Sequence, residues 1–251
     1  MNNITDALWS IVSQVINKKK SKVGRPEYSN RKTFEAIHHL LREGGRWSSL
    51  EKIGYGKRST IYHKFRKWCE NGVFKQIADI IKQLYDRKQI VNNWYAVDTS
   101  SKQSPLYENS GPSSTNRGRN GVKYIIAVDR MGAPLHVDIG PGNRHDSKLL
   151  KNILEQLADA NIIKIVAGDS AYDQKSLYKM AANLNIALIA SINKRRDKNK
   201  RSTKVMHRWI VEQTFGILMQ NRGLKTCYAK KTFSIFAFLQ LACSIRVFSM
   251  L

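Results

Sequence analysis

Acidic residues are scarce in this chain. Its 251 residues hold 19 Asp and Glu against 43 Lys and Arg, a formal net charge of +24. That excess goes well beyond what solubility requires and makes a polyanion the expected partner. Cysteine is scarcer still: Cys69, Cys227 and Cys243 are odd in number and fit neither a zinc spacing nor a disulfide framework, which points to packing roles in a reducing compartment. A long hydrophobic run is missing too. The longest apolar stretch, 233–248, is interrupted by Gln240 and Arg246 and reads as a buried helix, so no membrane partner is expected. The first apolar segment carries its charges after itself, the reverse of a secretory signal, and a cytoplasmic protein is the expectation.

Up to about residue 91 the patterns are helical. Thr5 or Asp6 caps a first helix, and a basic linker, 17–30, contains Lys18 to Lys22 and Gly24-Arg25-Pro26. A second helix runs from about Lys32 to Glu43 and stops at Gly44-Gly45. A third begins near Ser59, with Ile61, Tyr62, Phe65, Trp68 and Cys69 apolar and Lys57, Arg58, Lys64, Arg66 and Lys67 interleaved. With the short segment 47–53 before it, this is the candidate recognition helix of a helix-turn-helix-like unit. A basic amphipathic helix that only packs on its neighbours has the same pattern. Val73 to Arg87 gives one more helix.

From residue 92 to 251 the period changes. Short strands are expected at 94–100, 123–129, 134–139, 162–168 and 186–191, with helices at 146–160, 173–185, 204–222 and 232–249. The overall class is α/β: a mixed sheet whose strands run antiparallel first and βαβ later, the ribonuclease H-like order, behind an all-helical DNA-binding region. The loop 111–121, with Arg117 and Arg119, is too polar for a core and could lie over DNA near Asp98.

Three acids stand in contexts that suit metal-dependent phosphoryl transfer. Asp98 closes the run Trp94-Tyr95-Ala96-Val97, and Asp169 closes Ile162 to Gly168. Ligands gather at such strand ends. Glu212 lies among Trp209, Ile210, Phe215 and Leu218 at helical spacing. Three carboxylates suffice for a pair of Mg²⁺ or Mn²⁺ ions, which take hard oxygen ligands and act together on the attacking and leaving oxygens of a phosphodiester.

Several motifs in one order then resemble the IS4/IS5-type bacterial insertion-sequence transposases, most closely the small IS5-family proteins of the DDE superfamily. They are Gly45-Arg46-Trp47, Thr60-Ile61-Tyr62, Val97-Asp98-Thr99-Ser100, Gly142-Asn143-Arg144-His145-Asp146, Gly168-Asp169-Ser170-Ala171-Tyr172-Asp173 and Arg208-Trp209-Ile210-Val211-Glu212. The resemblance implies that Asp98, Asp169 and Glu212 are the catalytic, metal-binding acids and that Arg208 supports DNA. Asn143 to Asp146 read as structural, with Asp146 a helix cap, and Tyr172 and Asp173 read as packing and cap residues. Two positions depart from the family signature, Val205 for a Tyr and Met219 for a Lys. Nearby basic residues, including Lys194, Arg195 and Arg196, could compensate.

The expected function is a transposase that binds the terminal inverted repeats of its element as double-stranded DNA, cleaves the ends and joins them to target DNA, as a homodimer or larger assembly. A catalytically inactive DNA-binding remnant or regulator is the second reading. A general ribonuclease H-like nuclease leaves the helical N-terminal motifs unexplained.

Overall fold

The computed structural model describes residues 5–17, 28–88, 93–113, 117–159, 161–192 and 208–251. Most of the linker 17–30, together with Lys194, Arg195, Arg196 and Val205, lies outside them.

Among the described residues five helices come first: α1 (Asp6–Ile16), α2 (Asn30–Glu43), α3 (Ser49–Lys52), α4 (Arg58–Glu70) and α5 (Val73–Lys88). Thr5 caps α1 by accepting the Leu8 N–H at 3.3 Å. α4 starts one residue before the expected cap, Ser59. The Glu51 carboxylate accepts the Arg58 N–H at 2.8 Å and so supplies the acceptor that a capping side chain would.

Six strands follow among the described residues, interleaved with helices: β1 (Trp94–Gln103), β2 (Gly111–Pro112), β3 (Asn120–Val128), β4 (Pro134–Pro141), α6 (Asp146–Leu157), β5 (Lys164–Gly168), a 3-10 turn (Ser170–Tyr172), α7 (Lys175–Asn183) and β6 (Ile186–Ala190). The chain ends in α8 (Trp209–Leu218), α9 (Arg222–Lys225) and α10 (Thr232–Phe248). One sheet holds all the strands in the order β4-β3-β1-β5-β6, with β2 on the outer edge of β3. β3 pairs antiparallel with both β1 and β4, while β5 runs parallel to β1 and β6 to β5. This is the ribonuclease H-like arrangement, and it gives β1 the central place.

Alternate residues of each strand face opposite sides of the sheet. Tyr95, Val97, Ile125, Ala127 and Val166 pack with Leu149, Ile153 and Leu177 of α6 and α7. Ala96, Ile126, Val128 and Ala167 face the other way, into a core that includes Ile210 and Phe215 of α8, Leu239 and Val247 of α10, and Phe34, Phe65 and Ile77 of the N-terminal helices. The helical part, to Lys88, and the strand-bearing part, from Trp94, therefore share one core. Phe65 of α4 stacks on Phe238 of α10 with ring centroids 5.4 Å apart. Among the described residues no helix is long and apolar enough to cross a membrane. The three cysteines are free, and burial pushes the Cys69 thiol up to about 12.

Candidate active site

The β1–β5 register positions the first two acids. Trp94, Tyr95 and Ala96 pair with Ile165, Val166 and Ala167. Continued by two residues, the same register sets Asp98 opposite Asp169, on strands about 4.8 Å apart. By alternation Asp98 shares the side of Ala96, and Asp169, whose backbone is still extended, shares that of Ala167. Both therefore face α8. One oxygen of Asp98 accepts the Thr99 N–H at 2.7 Å, and Asp169 Oδ1 accepts the Ala171 N–H at 2.8 Å, closing the 3-10 turn.

Below this pair lies Tyr172. A Cβ on Gly168 would stand 2.5 Å from Tyr172 Cδ2, so the ring occupies the space that the glycine leaves. The Tyr172 hydroxyl is buried and approaches the Thr99 side chain without completing a hydrogen bond.

α8 carries the third acid. Ile210, Val211, Thr214, Phe215 and Leu218 are buried, which leaves Glu212 exposed on the flank of the helix. The Thr214 hydroxyl lies 3.1 Å from the Gly132 carbonyl and 2.9 Å from its own helix's Ile210 carbonyl, fastening α8 to the turn between β3 and β4. That turn is held in its own right by Asp129. One of its oxygens accepts the Met131 and Ala133 N–H groups, both at 2.9 Å, and the other accepts the Tyr85 hydroxyl at 2.8 Å. Neither Thr214 nor Asp129 stood out in the sequence, although Val128-Asp129 has the same strand-ending form as Val97-Asp98.

Burial pushes the Asp98 carboxyl up to about 6, the Thr99 N–H opposing this; Asp169 and Glu212 raise it further and Arg208 lowers it. Arg208 Nη2 lies 3.4 Å from Glu212 Oε1, and the Arg208 Nε is buried without a hydrogen-bond partner. Among the described residues no three His, Cys, Asp or Glu side chains stand close enough together to hold a metal ion as they are. The two aspartates are adjacent; Glu212 is turned to Arg208. The donor set is all oxygen, which suits Mg²⁺ or Mn²⁺, and a raised carboxylate beside a second one is a site that a divalent cation would relieve.

Residues 93–248 match the family described as "Transposase DDE domain", and residues 4–78 match "Putative transposase of IS4/5 family". The chain belongs to the IS4/IS5-type DDE transposases. No curated protein matches it. Among solved structures it is similar to a piggyBac transposase synaptic complex with hairpin DNA, at 10% identity over 97% of this chain and 71% of that one, with a TM-score of 0.44. A Mos1 mariner paired end complex with Mn is 10% identical over 99% of this chain and 88% of that one, with a TM-score of 0.30. The catalytic domain of Mos1 mariner transposase is also 10% identical, over 70% of this chain and 91% of that one, with a TM-score of 0.30.

The cations expected to meet DNA divide in this transposase. Lys57, Arg58, Arg66 and Lys67 are exposed on α4, Arg66 also pairing with Glu70 at 2.7 Å. Arg117 and Arg119 are exposed beside the β2–β3 pairing, toward the far end of β1 from Trp94 rather than over Asp98. Lys64 is a correction. It is 8% exposed, and its Nζ donates to the Tyr28 carbonyl and to Asn30 Oδ1, joining α4 to the start of α2. An ammonium so used is not free for phosphate. The residue after Arg144 also differs from expectation: His145, not Asp146, caps α6, with Nδ1 accepting the Ser147 N–H at 3.4 Å. Asp146 instead pairs with Lys123 at 2.7 Å. The α7 cap position falls to Gln174 rather than Asp173. The Asn143 side chain lies against Gly111, where a Cβ would meet its Oδ1 at 2.2 Å, a packing role.

Proposed function

We propose that this transposase binds the terminal inverted repeats of its element, cleaves their ends and joins them to target DNA, with Asp98, Asp169 and Glu212 as the catalytic acids. The observation that supports the reading is the Ala96–Ala167 pairing, two residues before Asp98 and Asp169, on the sheet face covered by the helix of Glu212. Those three side chains would hold two Mg²⁺ or Mn²⁺ ions. A divalent pair, when bound, supplies activation of the attacking oxygen and charge stabilisation of the leaving oxygen.

The chain's own residues do the rest. Thr214 holds α8 to the sheet so that Glu212 stays on its flank. Arg208, four residues before Glu212, pairs with it, and its guanidinium would serve a DNA phosphate where Glu212 held a cation. The exposed Lys57, Arg58, Arg66 and Lys67 of α4 contact the repeat, and Arg117 and Arg119 contact its backbone. Two ends cut and joined together call for a homodimer or larger assembly on DNA. The nucleoid is where such a protein acts.

A second reading, a catalytically inactive DNA-binding remnant, is favoured by Met219. It is half-buried at the C-terminus of α8 where the family signature has a Lys, so it offers no phosphate contact. Strand cleavage and joining on a labelled duplex bearing the inverted repeat separates the two. Metal-dependent nicking at the repeat end, lost in Glu212→Gln while binding persists, supports the transposase. Specific binding without cleavage by the wild type supports the remnant.

A further inference from the structure

A cavity of about 350 Å³ opens where α2, the β1–β2 connection and the segment after α9 meet; among its lining residues are Arg46, Trp47, Leu106, Tyr228 and Phe238. Its floor is rigid. The Trp47 ring lies 5.0 Å from Phe65, 5.1 Å from Tyr62 and 6.4 Å from Phe238, centroid to centroid. Its walls are tied by the Cys227 N–H to the Gln103 carbonyl at 3.1 Å and by the Ser104 hydroxyl to the Cys227 carbonyl at 3.1 Å. The cavity is thus preformed, and its size suits a small ring system. Yet two large apolar side chains lining it remain in water, Leu106 at 56% and Tyr228 at 53% exposure.

Its position and charge indicate what fills it. α9, just before the wall, packs on the sheet through Tyr124, whose hydroxyl donates to the Leu224 carbonyl at 3.3 Å. Tyr124 shares the face of Ile126, the face to which Asp98 also belongs. Gln103 is five residues beyond Asp98 on β1, about 17 Å away. That is roughly five nucleotide steps of a DNA strand. Around the cavity Glu43 pairs with Arg222 at 3.8 Å and Glu108 with Lys231 at 2.6 Å, while Arg46, Lys225 and Lys230 are exposed and add positive charge. A neighbouring cavity of about 440 Å³, lined by Gln103, Pro105, Gly118, Arg119 and Asn120, shares Pro105 with it and continues the basic surface.

We infer that the Trp47–Tyr228 cavity receives an unpaired base of a DNA strand that runs past Asp98 and Asp169. A cavity lined by Trp47, Tyr228 and Arg46, with Lys225 and Lys230 exposed nearby in the chain, matches a base, which has an apolar face and is tethered to phosphate. Tyr228 is the stacking ring and Arg46 the phosphate contact. The inference rests on the DNA-handling reading above.

Fluorescence anisotropy with a single-stranded oligonucleotide and with the corresponding duplex, on the full chain and the Tyr228→Ala and Tyr228→Phe variants, tests it. Tyr228→Ala weakens single-strand binding by about tenfold, the loss of one stacked base, with duplex binding unchanged and with recovery in Tyr228→Phe. Unchanged single-strand affinity in Tyr228→Ala overturns the inference, as does an equal loss on both DNA forms. Wild-type protein that binds neither form contradicts the DNA reading itself, a result separable from failure of the cavity alone.

Discussion

Asp98 and Asp169 each lie two residues beyond the Ala96–Ala167 pair that ends the ladder between neighbouring parallel strands. Two carboxylates so placed, in a partly dry site, repel each other when both are ionised, and the Asp98 carboxyl is pushed up from 3.8 to about 6, burial being the larger cause. The fold therefore carries an unfavourable charge at the point where a cation would be most welcome.

This has a consequence for stability. The folded state holds the Asp98 proton more tightly than the unfolded chain does, so this group's contribution is fully present below about pH 4 and is lost as pH rises through about 6. At most about 3 kcal/mol is involved. Asp98→Asn, which keeps an oxygen for the Thr99 N–H, should unfold at a higher temperature than wild type at pH 7.5, with the difference vanishing near pH 4. Added Mg²⁺ should raise the wild-type melting temperature at pH 7.5 and leave that of the variant nearly unchanged. Differential scanning fluorimetry across pH reads both effects.

Thr214 joins the helix of Glu212 to the β3–β4 turn through the Gly132 carbonyl. Thr214→Val keeps the volume but removes the one hydroxyl proton that the Gly132 and Ile210 carbonyls share, at a cost of about 1–3 kcal/mol in the unfolding free energy read from urea denaturation. Cleavage should fall by more than DNA affinity does, because the substitution loosens a catalytic acid and no phosphate contact.

Gly168 and Tyr172 occupy each other's space. A methyl at 168 must push the ring away, and Gly168→Ala should destabilise the chain by about 1–3 kcal/mol. The smaller side chain of the double variant Gly168→Ala, Tyr172→Leu should recover part of the loss, which a thermal melt of the four proteins in the cycle would resolve.

Two lysines one helical turn apart on α4 should behave oppositely. Lys64→Met removes the buried ammonium that holds the Tyr28 carbonyl and Asn30, and should lower stability. Lys67→Ala, at an exposed position, should leave stability unchanged and reduce the salt dependence of DNA binding by about one counterion. Anisotropy titrations at several salt concentrations distinguish them.

The sheet and its order were legible because β-branched runs and turn residues mark strands locally; Asp169 follows such an end, whereas Asp98, expected to close its strand, lies within β1, which antiparallel pairing with β3 carries on to Gln103. The limit is shown by Asp129. Val97-Asp98, Val128-Asp129 and Gly168-Asp169 look alike as sequence, but β3 runs antiparallel to β1, so Asp129 emerges at the other end of the sheet and is spent on a turn and on Tyr85. Strand direction, a long-range property, separates a site residue from a structural one. Lys64 was misread for a related reason: periodicity marked its face as mixed, and only the approach of Tyr28 and Asn30 from another helix shows that its charge is used internally. The shared core of the N-terminal helices with α8 and α10 was hidden likewise, since contacts such as Phe65 with Phe238 join residues far apart in sequence.

The most direct test of the central claim is to locate Mn²⁺ by anomalous scattering in crystals of the protein bound to its inverted-repeat DNA. Manganese should lie between Asp98 and Asp169, with Glu212 turned from Arg208 to join them. Manganese absent from this pair, or held elsewhere while Glu212 remains on Arg208, would contradict it.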